Sequence, residues 1–167
     1  AQDGNMQAIA TPYDEEIAKV SAAIGGTVVA WGRHERQAEV REKAAKAEAA
    51  PASVAADRAV FNLASGGKAV QGAGDLVADL EAGTVDLAKV AKDDLPPEMQ
   101  RMSLAEQRAY VQARQAEREA LNARLESLAR SRAEWLAKEL ARLGGSGDSF
   151  DRSVTEMIGA QAARVFK

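Results

Sequence analysis

Ser103-Leu104-Ala105-Glu106 opens the stretch that decides the fold, and from there no glycine or proline interrupts the chain until Gly144-Gly145-Ser146-Gly147. The four opening residues make a capping box, in which the serine hydroxyl and the glutamate carboxylate each satisfy an amide that the first helical turn leaves open. The next forty residues are rich in Ala, Leu, Glu, Gln and Arg, all good helix formers. The sequence therefore predicts one helix over 104–143, roughly 60 Å long at 1.5 Å per residue. Leu121, Leu125, Leu128, Trp135, Leu136, Leu140 and Leu143 give its second half an apolar stripe. Arg118 and Arg132 fall where an uninterrupted coiled-coil seam requires apolar residues, so local bundle packing is expected in place of a long two-stranded coil. Beyond the glycines, Asp148 or Ser149 can cap a last helix with Val154, Ile158, Ala162 and Val165 on one face, which predicts an antiparallel hairpin.

Working back toward the amino end, Asp3-Gly4 is a turn dipeptide and residues 5–10 form a short strand candidate. Thr11-Pro12-Tyr13-Asp14 then reads as a helix start, with Thr11 as cap, Pro12 at the first helical position and Asp14 near the positive end of the dipole. Ile17, Val20 and Ile24 make one stripe, Gly25-Gly26 ends the helix, and residues 27–31 form a second, β-branched strand candidate. Residues 33–50 predict a solvated helix carrying the pairs Glu39 with Lys43 and Glu42 with Lys46. Pro51 breaks it, Ser53 can cap the next, and Ser65-Gly66-Gly67 stops that one. Four glycines between Gly66 and Gly74 predict a loop or hinge, followed by a short helix from Asp75 to Gly83 and a further turn or two around Val85–Val90.

The whole reads as mainly α, a helical bundle with one long helix and at most two short strands near the amino end. Three segments are distinguished: a strand-helix-strand junction over 1–32, short helices and a glycine-rich loop over 33–102, and the helix hairpin over 103–167, all within one extended domain. An isolated two-stranded sheet is marginal, so the strands are expected to depend on a helix, on each other or on a neighbouring sheet.

Composition narrows the chemistry. The 167 residues hold no cysteine and one histidine, which removes disulfides, thiolate chemistry and most imidazole metal sites. With 22 basic and 25 acidic residues the formal charge is −3, so there is no domain-wide field for a polyanion and nucleic acid is not expected. No run approaches the ~18 apolar residues of a membrane span, so no membrane insertion is expected.

Local motifs fail one by one. His34 sits among charges with no second soft ligand and reads as an exposed, idle imidazole. Gly67-Lys68 resembles the end of a phosphate loop, but Asn62 and Ala69 occupy positions that need Gly and Ser or Thr. Gly72-Ala73-Gly74 lacks the third glycine of a dinucleotide fingerprint, where Val77 stands. The acidic runs at Asp14-Glu15-Glu16 and Asp93-Asp94 lack the ligand alternation of a calcium loop. Ser146 lacks the flanking glycine of a nucleophile elbow and any helper histidine. No catalytic, cofactor-binding or metal residue is assigned, no cofactor is expected, and the chain reads as no enzyme. Trp31 and Trp135 remain as candidate partner contacts, Trp135 also suiting core packing against the last helix. The eight basic and six acidic groups over 104–143 are interspersed and read as a solvated face.

Several strings, in order, resemble the region that follows the von Willebrand factor type A domain in a class of bacterial proteins. They are Thr11-Pro12-Tyr13-Asp14-Glu15-Glu16-Ile17, Gly26-Thr27-Val28-Val29-Ala30-Trp31-Gly32, and Asp94-Leu95-Pro96-Pro97-Glu98-Met99 with Met102-Ser103 and Glu106-Gln107-Arg108-Ala109-Tyr110-Val111. The likeness continues through Glu117-Arg118 and Leu128-Ala129-Arg130-Ser131-Arg132 to Ser149-Phe150-Asp151 and Gln161-Ala162-Ala163. It departs at Gly74, where such tails often carry an aromatic before Asp-Leu-Val. The Asp-x-Ser-x-Ser metal-adhesion motif is absent, so no adhesion metal is carried over. The resemblance implies that residues 1–10 are a junction or final strand of a preceding type A domain, and that the setting is periplasmic, cell-surface or extracellular.

The leading expectation is thus a noncatalytic accessory or scaffold module of an exported type A domain protein, with a protein partner or the parent domain bound to it. A homo-oligomeric structural protein assembled through the long helix is the alternative, and a polyanion or nucleic-acid binder the weaker one.

Overall fold

The computed structural model describes residues 9–66 and 73–144. Within them the architecture is a helical bundle: α1 (Asp14–Gly26), α2 (His34–Glu48), α3 (Ala52–Ala64), α4 (Leu76–Glu81), two single 3₁₀ turns (Leu87–Lys89 and Lys92–Asp94) and the long α5 (Leu104–Gly144). The long helix begins where the capping box places it. Ser103 N–H donates to Glu106 Oε2 at 2.7 Å, and Glu106 N–H donates to Ser103 Oγ at 3.3 Å. That helix, 41 residues, carries α1, α3, α4 and the first 3₁₀ turn along its length, while α2 packs against α1.

Two apolar clusters divide along α5. Near its start, Val111 packs with Val29, Leu76, Val77, Leu87, Leu95 and Met99. Further on, Leu125 packs with Ile17, Val20 and Ile24 of α1 and with Ala56 and Ala59 of α3. The stripe read from sequence as Ile17, Val20 and Ile24 is therefore the buried face of α1.

Two local expectations are corrected, the strand over 27–31 and the Ser53 cap. Residues 27–31 are no strand. Thr27 keeps helical backbone (φ −82, ψ −6) as the residue closing α1, and the rest makes a single antiparallel bridge, Ala30 to Asp75, because the rung beside it is taken by a side chain: Val29 N–H donates to the Asp75 carboxylate at 3.2 Å. Thr11 does close the opening turn of α1 as expected: its Oγ1 accepts from Tyr13 N–H at 3.3 Å, and Asp14 in return accepts from Thr11 N–H (2.9 Å) and Thr11 Oγ1 (2.6 Å), with regular helix beginning at Asp14. Ser53 makes no cap for α3, which begins after Pro51 without a side-chain partner. The first strand candidate falls almost wholly, and the last helix wholly, outside the described residues, as does the stretch 67–72 of the glycine-rich loop.

Gly74, at the far side of that loop, has φ +119, and a Cβ there would stand 2.8 Å from Val40 Cγ2. Only glycine lets the backbone pass so close to α2 while its carbonyl accepts from Trp31 N–H at 3.1 Å.

Candidate functional site

Along α5 from Val111 to Arg132, every seventh residue is buried: Val111, Arg118, Leu125, Arg132. A helix keeps positions seven apart near one face, so this row is the seam of the bundle, with an apolar residue and an arginine alternating along it. The two arginines occupy the positions where a coiled coil would put leucine, and each is matched by acids or carbonyls from distant parts of the chain.

Arg118 lies between the two apolar clusters. Its Nε donates to Thr27 Oγ1 (2.8 Å), its Nη2 to Thr27 O (3.1 Å), and its Nη1 stands 2.7 Å from Asp75 Oδ2. Asp75 Oδ2 receives no directed hydrogen bond, so the guanidinium holds it by charge. Oδ1 accepts from Val29 N–H and from Val77 N–H, the latter capping α4. Arg132 Nε donates to Asp14 Oδ1 (2.8 Å) and its Nη2 to Asp57 Oδ1 (2.6 Å), tying the start of α1 and the middle of α3 to α5. Burial opposes ionisation of Asp14, but the hydrogen bonds from Thr11 and Arg132 outweigh it and hold the carboxyl below its usual range. Arg124 adds an exposed contact to Glu16. Asp14 and Glu16 of the acidic run are thus engaged in ion pairs, and among the described residues no group of His, Asp and Glu could hold a metal ion.

A second feature lies on the other side of α1. Gln37 and Val40 are the buried residues of α2; Gln37 donates to Gly32 O (2.8 Å) and anchors the first turns, after which α2 presents no buried side chain. A groove of about 1040 Å³ opens between α1, α2 and α3. Small residues form part of its walls, Ala18, Ala22, Gly25 and Gly26 from α1, Ala44 and Ala45 from α2 and Ala55 from α3, and the charged and polar Arg41, Lys43, Glu48, Arg58, Asn62 and Glu98 line it as well, with Phe61 beside them. Phe61 is 62 % exposed.

Gly25 and Gly26 are informative. They stand within α1 with no left-handed backbone, so neither performs the usual glycine role at a helix C-terminus. A Cβ built at either meets nothing within 4 Å. Glycine in a helix is less favourable than alanine by about 0.5–1 kcal/mol, and nothing inside the described chain requires it here.

The residues singled out from sequence are placed apart. Trp31 is half-buried against the Val111 cluster and its Nε1 donates to Asp79 Oδ2 at 2.8 Å. Trp135 is half-buried on α5, roughly 36 Å of helix beyond Val111. Neither lines the groove. His34 is exposed at the first residue of α2. No helix among the described residues is long and apolar enough to cross a membrane.

Comparison of the chain with protein-family models, with curated proteins and with solved structures gives no match in any of the three.

Proposed function

We propose that the chain is a noncatalytic protein-association module that holds the type A domain preceding it in exported bacterial proteins of the kind its sequence resembles. The groove between α1, α2 and α3 is its docking surface. The observation that carries this reading is the pair Gly25 and Gly26, helical and with open space where their side chains would be, on the wall of a groove lined by alanine. Small residues on a helix face let a second backbone approach closely, so a helical segment of the partner fits this wall better than a bulky side-chain cluster. Arg41 and Arg58 on facing walls, with exposed Phe61, supply the polar rim and the aromatic anchor common at such interfaces.

The test compares amide hydrogen exchange in the chain with and without the type A domain joined to it. Attachment is expected to slow exchange in α1 and α3 along the groove, and Ala22→Leu, which fills the groove, is expected to cancel the effect while helix content is retained. Equal exchange with and without the domain contradicts the proposal. Doubling of mass in the isolated chain, cancelled by Ala22→Leu, would instead assign the groove to a second copy.

A further inference from the structure

Arg132 binds Asp14, at the first residue of α1, and Arg118 binds Thr27, the residue just past its end. The two helices therefore run antiparallel, with the rise from 14 to 27 on one (about 20 Å) matching the rise from 118 to 132 on the other (about 21 Å). Between the two arginines, at heptad distance from each, sits buried Leu125 against Ile17, Val20 and Ile24.

We propose that Arg118 and Arg132 are register stops, which make α1 and α5 one rigid unit and fix where the start of α1 stands relative to the far end of α5. In the observed register both guanidiniums meet acceptors and Leu125 meets the aliphatic stripe. A slip of one heptad in either direction replaces Leu125 by an arginine beneath Ile17, Val20 and Ile24, and leaves both Asp14 and Asp75 buried without their cations. The leucines alone provide no such discrimination, since Leu121, Leu125 and Leu128 are interchangeable in chemistry. Burial of a polar group to fix register is the best-attested use of a buried ion pair, and the same two charges oppose pairing of α5 with another α5.

The chain contains no cysteine, so spin labels on Lys19→Cys and Ser127→Cys, both exposed, report the distance between α1 and α5 alone. The parent is expected to give one narrow distance. Arg118→Leu with Arg132→Leu, combined with Asp14→Asn and Asp75→Asn to remove unpaired charge, is expected to give a second population displaced by about 10 Å along the helix, or a doubled mass through α5. A single narrow distance and an unchanged mass in this variant overturn the proposal. Should the variant lose its helix signal, Arg132→Leu with Asp14→Asn keeps the Arg118 contacts; a distribution broadened relative to the parent supports the stops, and an unbroadened one overturns them.

Discussion

The Asp75 carboxylate meets the Arg118 guanidinium at 2.7 Å, with both side chains almost fully withdrawn from solvent. The same carboxylate caps α4 and receives Val29 N–H, so one acidic group joins the segment after α1, the start of α4 and the middle of α5. Removing one partner of such a pair strands the other charge, which costs more than the intact pair contributes.

Arg118→Met is accordingly expected to destabilise the chain by about 3–5 kcal/mol. Adding Asp75→Asn, which keeps the cap on Val77 but carries no charge, is expected to recover a large part of that loss. Urea unfolding of the two single variants and the double variant measures the coupling.

Asp14 gives a pH signature. Its carboxyl is held below the usual range by Thr11 and Arg132, so the stability it contributes is fully present above its unfolded value near pH 4 and is lost as pH falls through the lower folded value. Urea midpoints measured from about pH 6 down to about pH 2 should decline less steeply below about pH 4 in Asp14→Asn than in the parent. Identical slopes would show that Asp14 titrates alike in both states.

Gly74 and Gly83 both have positive φ, but only Gly74 is hemmed in. Its Cβ would stand 2.8 Å from Val40, whereas Gly83 has open space. Gly83→Ala is expected to cost about 1 kcal/mol from backbone strain, and Gly74→Ala clearly more because Val40 must move as well. Thermal melts of the two variants compare them directly.

Much of this fold is legible in the chain. Ser103 and Glu106 mark the start of α5, and the Ile17, Val20, Ile24 spacing marks the buried face of α1, because caps and 3.6-residue periodicity are local signals. Arg118 and Arg132 are also visible as interruptions of the α5 seam. Their partners are not, since Asp75, Thr27, Asp14 and Asp57 lie far away in sequence and are joined to them only by tertiary packing. Residues 27–31 mislead for a related reason: their β-branched composition fits a strand, but Asp75 occupies a rung with its side chain. The groove leaves a trace of helical spacing on α1, at Ala18, Ala22, Gly25 and Gly26, but not one of large apolar residues. Alanine and glycine look like filler in sequence, and only the space beside Gly25 and Gly26 gives them meaning.

Gly25→Ala should therefore separate folding from association. In the isolated chain it is expected to raise stability by about 0.5–1 kcal/mol, because alanine favours the helix and meets no neighbour. Loss of stability, read as a lower urea midpoint, would show that this glycine serves the fold itself.

The most direct measurement places a photo-cross-linking phenylalanine derivative at Phe61, exposed on the groove, in the protein within its native cells, and identifies the captured peptide by mass spectrometry. The expected product joins Phe61 to a peptide of a type A domain, in the same or another polypeptide. Capture confined to residues of this chain, with no type A domain peptide recovered, would contradict the association proposed for the groove.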